Sequence, residues 1–121
     1  METTRLTRIF TVELDDTVTD DFDMHVDQYT DAVVEELLAL ESDSLMDADV
    51  SSWLTFTVGT FQVEISITAI AEDFDAAIEK ADSAIRTAIS AAGDRNPDWL
   101  EVPKVQPQSF TASLVYLPIA R

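Results

Sequence analysis

The hydrophobic period of this chain switches repeatedly between two and 3.6 residues, and the order of the switches leaves few folds open. In residues 6–14, Leu6, Phe10, Val12 and Leu14 fall on one side and Thr7, Ile9, Thr11 and Glu13 on the other, the pattern of a half-buried strand. Phe22, Val26, Tyr29, Val33, Leu37 and Leu40 then recur at helical spacing, so a helix is expected to begin near Asp20 behind a cap-rich segment containing Thr17, Thr19, Asp20 and Asp21. Beyond an acidic loop through Asp43, Asp47 and Asp49, alternation returns from Trp53 to Val58 and again from Phe61 to Ala71. Gly59-Thr60 between the two runs suits a two-residue type II′ hairpin, which sets Val58 against Phe61, Phe56 against Val63 and Leu54 against Ile65.

A second helix is expected behind Asp73 as N-cap. Phe74, Ile78, Ala81, Ile85, Ala88 and Ala92 line one side of it, and Gly93 stands at the C′ position. After a proline-rich loop, Ser109 to Leu117 alternates with Phe110, Ala112, Leu114 and Tyr116 on one face, and the segment 99–102 has the pattern of a short extra strand beside it. Strand, helix, two strands, helix, strand is the split βαβ order. The expected fold is therefore an α+β, ferredoxin-like two-layer sandwich of βαββαβ topology, built as a single domain over residues 1–121 with both helices on one sheet face.

The Ala-rich helix end with its glycine stop, Pro and Trp (Ala88-Ile89-Ser90-Ala91-Ala92-Gly93-Asp94-Arg95-Asn96-Pro97-Asp98-Trp99) resembles small acidic proteins of unknown function from high-GC actinobacteria and their phages. The strand and acidic N-cap at Ala69-Ile70-Ala71-Glu72-Asp73-Phe74-Asp75-Ala76-Ala77 is similar to the same group. The resemblance implies a bacterial or phage origin and lends no functional residue.

Composition removes much chemistry. The chain lacks cysteine and has a single histidine, so thiol catalysis, disulfides and thiolate metal sites are excluded. No apolar run approaches the length of a membrane span and no apolar stretch follows the N-terminal residues; the cytoplasm is the expected compartment. With 24 acidic against 7 basic residues the formal net charge is −17, which disfavours nucleic acid and anionic membranes as direct partners. The charge is also segregated. From Ile9 through Glu79 there are 19 acids and no Lys or Arg, whereas residues 80–121 hold five basic and four acidic residues.

Several constellations compete for a role. Asp23, Asp27, Asp31 and Glu35 repeat every fourth residue along the first helix: either a solvated face, or a row that steers a basic protein partner and mimics nucleic acid. Asp15, Asp16, Asp20, Asp21, Asp23 and Asp27 offer hard oxygen ligands, with Asp43, Asp47 and Asp49 as a second group. Neither has the glycine and terminal glutamate of a calcium loop, so helix capping is the plainer reading and no metal or cofactor is assigned. His25 follows Asp21 by one helical turn but has no second imidazole or recognisable nucleophile, and no catalytic residue is assigned. Asp82 and Arg86 form an i, i+4 pair worth a few tenths of a kcal/mol.

The uncovered sheet face is the remaining candidate. It carries Ile9, Trp53 and Glu64, and Val115 and Leu117 extend its apolar patch. The expected function is a non-enzymatic, self-associating interaction module using that face. The alternatives are a phage-type mimic occupying a basic DNA-binding protein, and a small-molecule or metal-binding protein, an enzyme among the options, using the pocket that an oligomer would create around Trp53, Glu64 and the first strand.

Overall fold

The computed structural model describes residues 2–14, 22–55, 59–94 and 104–114. The elements are β1 (Glu2–Glu13), α1 (Phe22–Leu40), β2 (Leu45–Leu54), β3 (Thr60–Ala71), α2 (Phe74–Asp94) and β4 (Lys104–Leu114). The four strands form one antiparallel sheet in the order β2-β3-β1-β4. That order and the βαββαβ succession make the chain a ferredoxin-like α+β sandwich. The segment 99–102 lies outside the described residues. No described helix is long and apolar enough to cross a membrane.

Both helices pack on one face: α2 rests on β1 and β3, while α1 packs on β2 and α2. The core between the layers contains Leu6, Phe10 and Val12 of β1, Phe61, Val63, Ile65 and Ile67 of β3, Val26, Tyr29, Val33 and Leu37 of α1, and Ala81, Ile85 and Ala88 of α2. Phe61 holds the layers together at the α1 end, with edge-to-face contacts to Phe22 (6.2 Å between centroids) and Tyr29 (5.6 Å). Burial removes the Tyr29 phenol from water and pushes its pKa above the ordinary value, so it serves as a neutral core side chain. The small alanines of α2 let that helix lie close to β1 and β3.

Asp73 caps α2 as its position implies. Its Oδ1 accepts the Ala76 amide at 2.7 Å, and its carbonyl accepts the Ala77 amide at 3.0 Å. The other end differs from expectation. The helix runs through Asp94, so Gly93 is buried inside its last turn and does not have the positive φ of a C′ glycine.

The largest corrections concern β2. Residues 45–52, read from their acids as loop, are strand: Leu45 opposes Ala69 and Val50 opposes Ile65. One extra residue between Met46 and Asp49 bulges the strand at Asp47, which adopts φ 55°. Before the bulge an odd-numbered residue points inward, and after it even-numbered ones do, so the sequence shows no continuous alternation. The hairpin register changes with it. Leu54 opposes Phe61, Ser52 opposes Val63 and Trp53 opposes Gln62, so the turn is wider than Gly59-Thr60 alone. Phe56 and Val58 lie outside the described residues. A two-residue turn would have carried Leu45 past the end of β3, whereas the observed register pairs β2 along its length. Gly59 supplies the positive φ (83°) that the turn needs, and its carbonyl accepts the Leu14 amide at 3.0 Å.

At the opposite edge β4 begins at Lys104, ahead of the expected Ser109. Pro107 is accommodated where the register with β1 shifts between Ile9 and Phe10.

Candidate functional site

The second face of the sheet has no described helix on it. It is built by the odd-numbered residues of β1, the even-numbered residues of β3, and Met46, Asp49, Ser51 and Trp53 of β2. Ile9 sits at its middle, half-buried, opposite Glu64 of β3, which in turn opposes Ser51. Trp53 lies one row further along, 38% exposed, with its indole Nε1 donating to Gln62 Oε1 at 2.8 Å. The strand pairing therefore brings Ile9, Trp53 and Glu64 onto one surface, as their alternation implies. Val115 and Leu117 lie outside the described residues.

Side-chain hydrogen bonds tie this surface together. The Thr7 and Ser66 hydroxyls share one at 2.7 Å, and Arg5 Nη1 donates to both Thr68 Oγ1 and the Asp47 carbonyl at 2.9 Å. The Asp47 bulge aims that carbonyl at Arg5, linking the backbone irregularity to the surface. Ser66 and Thr68 are buried although they face outward, and each hydroxyl is bonded to a β1 side chain. The surface is short of charge for this chain. Between Arg5 and Glu13, the outward positions of β1 are Thr7, Ile9 and Thr11.

Asp23, Asp27, Asp31 and Glu35 are all exposed along α1, on the helix layer and apart from the Ile9–Trp53 surface. Two groups of expected site residues thus occupy two different layers. Asp15, Asp16, Asp20 and Asp21 lie outside the described residues, as does any support from Asp21 to His25. Among the described residues no three His, Asp or Glu side chains converge as metal ligands would.

A third constellation was not anticipated. Arg8 has the inward parity of Leu6 and Phe10, and its guanidinium reaches Asp82 of α2. The same carboxylate takes Arg86 through its other oxygen. Asp82 is 7% exposed, so the expected i, i+4 pair is in fact part of a buried carboxylate shared by two guanidiniums. Arg8 also lies over the Phe10 ring, 5.2 Å from its centroid. The available signal was an arginine in an otherwise apolar inward series. Its partner is 74 residues away, beyond the reach of local pattern.

No protein-family model matches the chain, and no curated protein matches it either. Among solved structures, it is similar to part of the periplasmic protease PqqL from Escherichia coli, with 10% identity over 74% of this chain and a TM-score of 0.51. This chain spans only 10% of PqqL, and the likeness concerns the fold alone. It also aligns with a dimeric ferredoxin-like protein of unknown function from Thermobifida fusca at 18% identity, covering 94% of this chain and 92% of that one with a TM-score of 0.42. A dimeric ferredoxin-like protein from an uncultured marine organism aligns at 14% identity, covering 98% of this chain and 100% of that one with a TM-score of 0.41.

Proposed function

We propose that this chain is a self-associating interaction module that joins a second copy through the open face of its sheet. The observation that carries this reading is the contrast between the face and the rest of the molecule. In a chain of net charge −17, the centre of the face presents Thr7, Ile9, Thr11, Ser51 and a 38% exposed Trp53, with Glu64 opposite Ile9 and Asp49 opposite Ser66 as its acids. Depletion of charge around an exposed aromatic is the compositional mark of an interface core. Two copies of so acidic a chain repel each other, so association tightens as salt rises from about 0.1 to 1 M and the Debye length falls from about 10 Å to about 3 Å. Sedimentation equilibrium across that range checks the reading. A chain that stays monomeric at high concentration in 1 M salt overturns it. Trp53→Ala weakens the dimer by about thirty-fold, the effect of a hot-spot residue worth about 2 kcal/mol. The melting curve of the monomer, followed in parallel, separates this loss from that of the contacts the indole makes within its own chain.

The exposed row Asp23, Asp27, Asp31 and Glu35 supports a second reading: α1 engages a basic protein, as a nucleic-acid mimic would. The two readings have opposite salt dependences. A complex formed through α1 weakens as salt rises, and replacing the first three acids by Asn slows its association while leaving self-association in 1 M salt unchanged.

A further inference from the structure

On the helix side of the sheet, between the C-terminal half of α2 and the β1–β4 edge, lies a groove of about 440 Å³. That volume falls within the roughly 300–1,000 Å³ typical of small-molecule sites. Phe10, Ile89, Val105 and Pro107 form its apolar walls, and Arg8 and Arg86 contribute to its lining. Among the described residues, none that lines it is acidic. Arg8 and Arg86 share the carboxylate of Asp82, so these three side chains together sum to one positive charge in a chain of net charge −17. The Arg86 side chain is 70% exposed and meets Asp82 through Nη2, leaving the rest of its guanidinium fork for another acceptor.

We propose that this groove binds a small apolar monocarboxylate, with its carboxylate on Arg86 and its apolar body against Phe10, Ile89, Val105 and Pro107. A single negative charge matches the cluster, whereas a polyanion would be repelled by the acidity of the whole chain. The apolar walls require the rest of the ligand to be hydrocarbon. Asp82 performs two tasks: it neutralises Arg8 at the groove and holds the Arg86 fork at one edge, so that less freedom is lost when an anion binds. The site lies in the layer opposite Ile9, Trp53 and Glu64, so it is independent of the open-face interface.

The test is a titration of the full chain followed by amide chemical shifts, with 3-phenylpropanoate as the probe and neutral 3-phenylpropanol as the control. The expected result is saturable shifts centred on Ile89, Ser90 and Gly93, with the carboxylate at least about five-fold tighter than the alcohol. Arg86→Gln abolishes that preference, and Ser90→Trp, which places an indole in the groove from an exposed helix position, blocks both probes. Arg86 and Ser90 are exposed, so both variants retain the fold, which their melting curves verify. Absence of saturable shifts up to about 10 mM, a range that would detect even millimolar binding, overturns the proposal. So do equal affinities for the two probes, an Arg86→Gln variant that keeps the preference, or binding that survives Ser90→Trp.

Discussion

Two arginines three residues apart on β1 meet opposite environments. Arg8 points toward the helices, is mostly buried, and is matched by a carboxylate on α2. Arg5 points to the open face and donates to neutral oxygens, the Thr68 hydroxyl and the Asp47 carbonyl. A charge between the layers needs a countercharge because the surroundings cannot solvate it, while a charge on the open face still has water beside it. The Arg8 contact therefore ties the helix layer to the sheet, whereas Arg5 finishes a surface.

The sharpest way to break this contrast is Asp82→Ala. It removes the buried carboxylate that Arg8 and Arg86 share and is expected to cost about 3 kcal/mol, the penalty for breaking a buried ion pair from one side. Replacing both partners, as Arg8→Met with Asp82→Leu, recovers most of the loss, since the pair contributes less than its rupture costs. Arg5→Met costs no more than about 1 kcal/mol, the net worth of a half-exposed hydrogen bond. Urea denaturation of the three variants measures all of this. Equal losses for Asp82→Ala and Arg5→Met would erase the distinction between the faces.

A smaller effect is expected on the open face, at the bulge that orients the acceptor for Arg5. Asp47 adopts φ 55°, a left-handed conformation that costs a β-branched residue roughly 1–2 kcal/mol. Asp47→Val should therefore destabilise the chain by about that amount, with Asp47→Gly within a few tenths of a kcal/mol of the native chain. A Val variant as stable as the Gly variant would mean that the bulge relaxes without cost. The amide shifts of Arg5 and Thr68 would report the lost contact.

The same bulge explains where the sequence was readable and where it was not. β1, β3 and both helices follow an unbroken period, and their inward series Leu6-Phe10-Val12, Phe61-Val63-Ile65 and Val26-Tyr29-Val33-Leu37 is the core that forms. In β2 the extra residue reverses the parity between Leu45 and Val50, and the surrounding aspartates imitate a loop, so most of the strand and its register were hidden. Met46, brought to the open face beside Thr68, was missed for the same reason. Ile9, Glu64 and Trp53 reached a common surface because alternation alone fixes which side a strand residue takes. The Arg8–Asp82–Arg86 cluster was only half legible. Helical spacing places Arg86 near Asp82, but bringing Arg8 to the same carboxylate depends on how α2 packs over β1.

Thr4 completes the inner face of β1 and carries the smallest expected effect. It is fully buried between Ala69 of β3 and Leu114 of β4, and its hydroxyl has no hydrogen-bond partner among the described residues. Arg8 shows that this face retains a polar group when the facing helix answers it; Thr4 receives no such answer. Folding therefore strips water from the hydroxyl without replacing it, and Thr4→Val should raise stability by about 1 kcal/mol while keeping the β-branched shape the strand favours. The gain appears as a higher urea midpoint at unchanged slope. A loss of similar size would show that the hydroxyl has a partner after all, and that β1 answers every polar group it turns toward the helices.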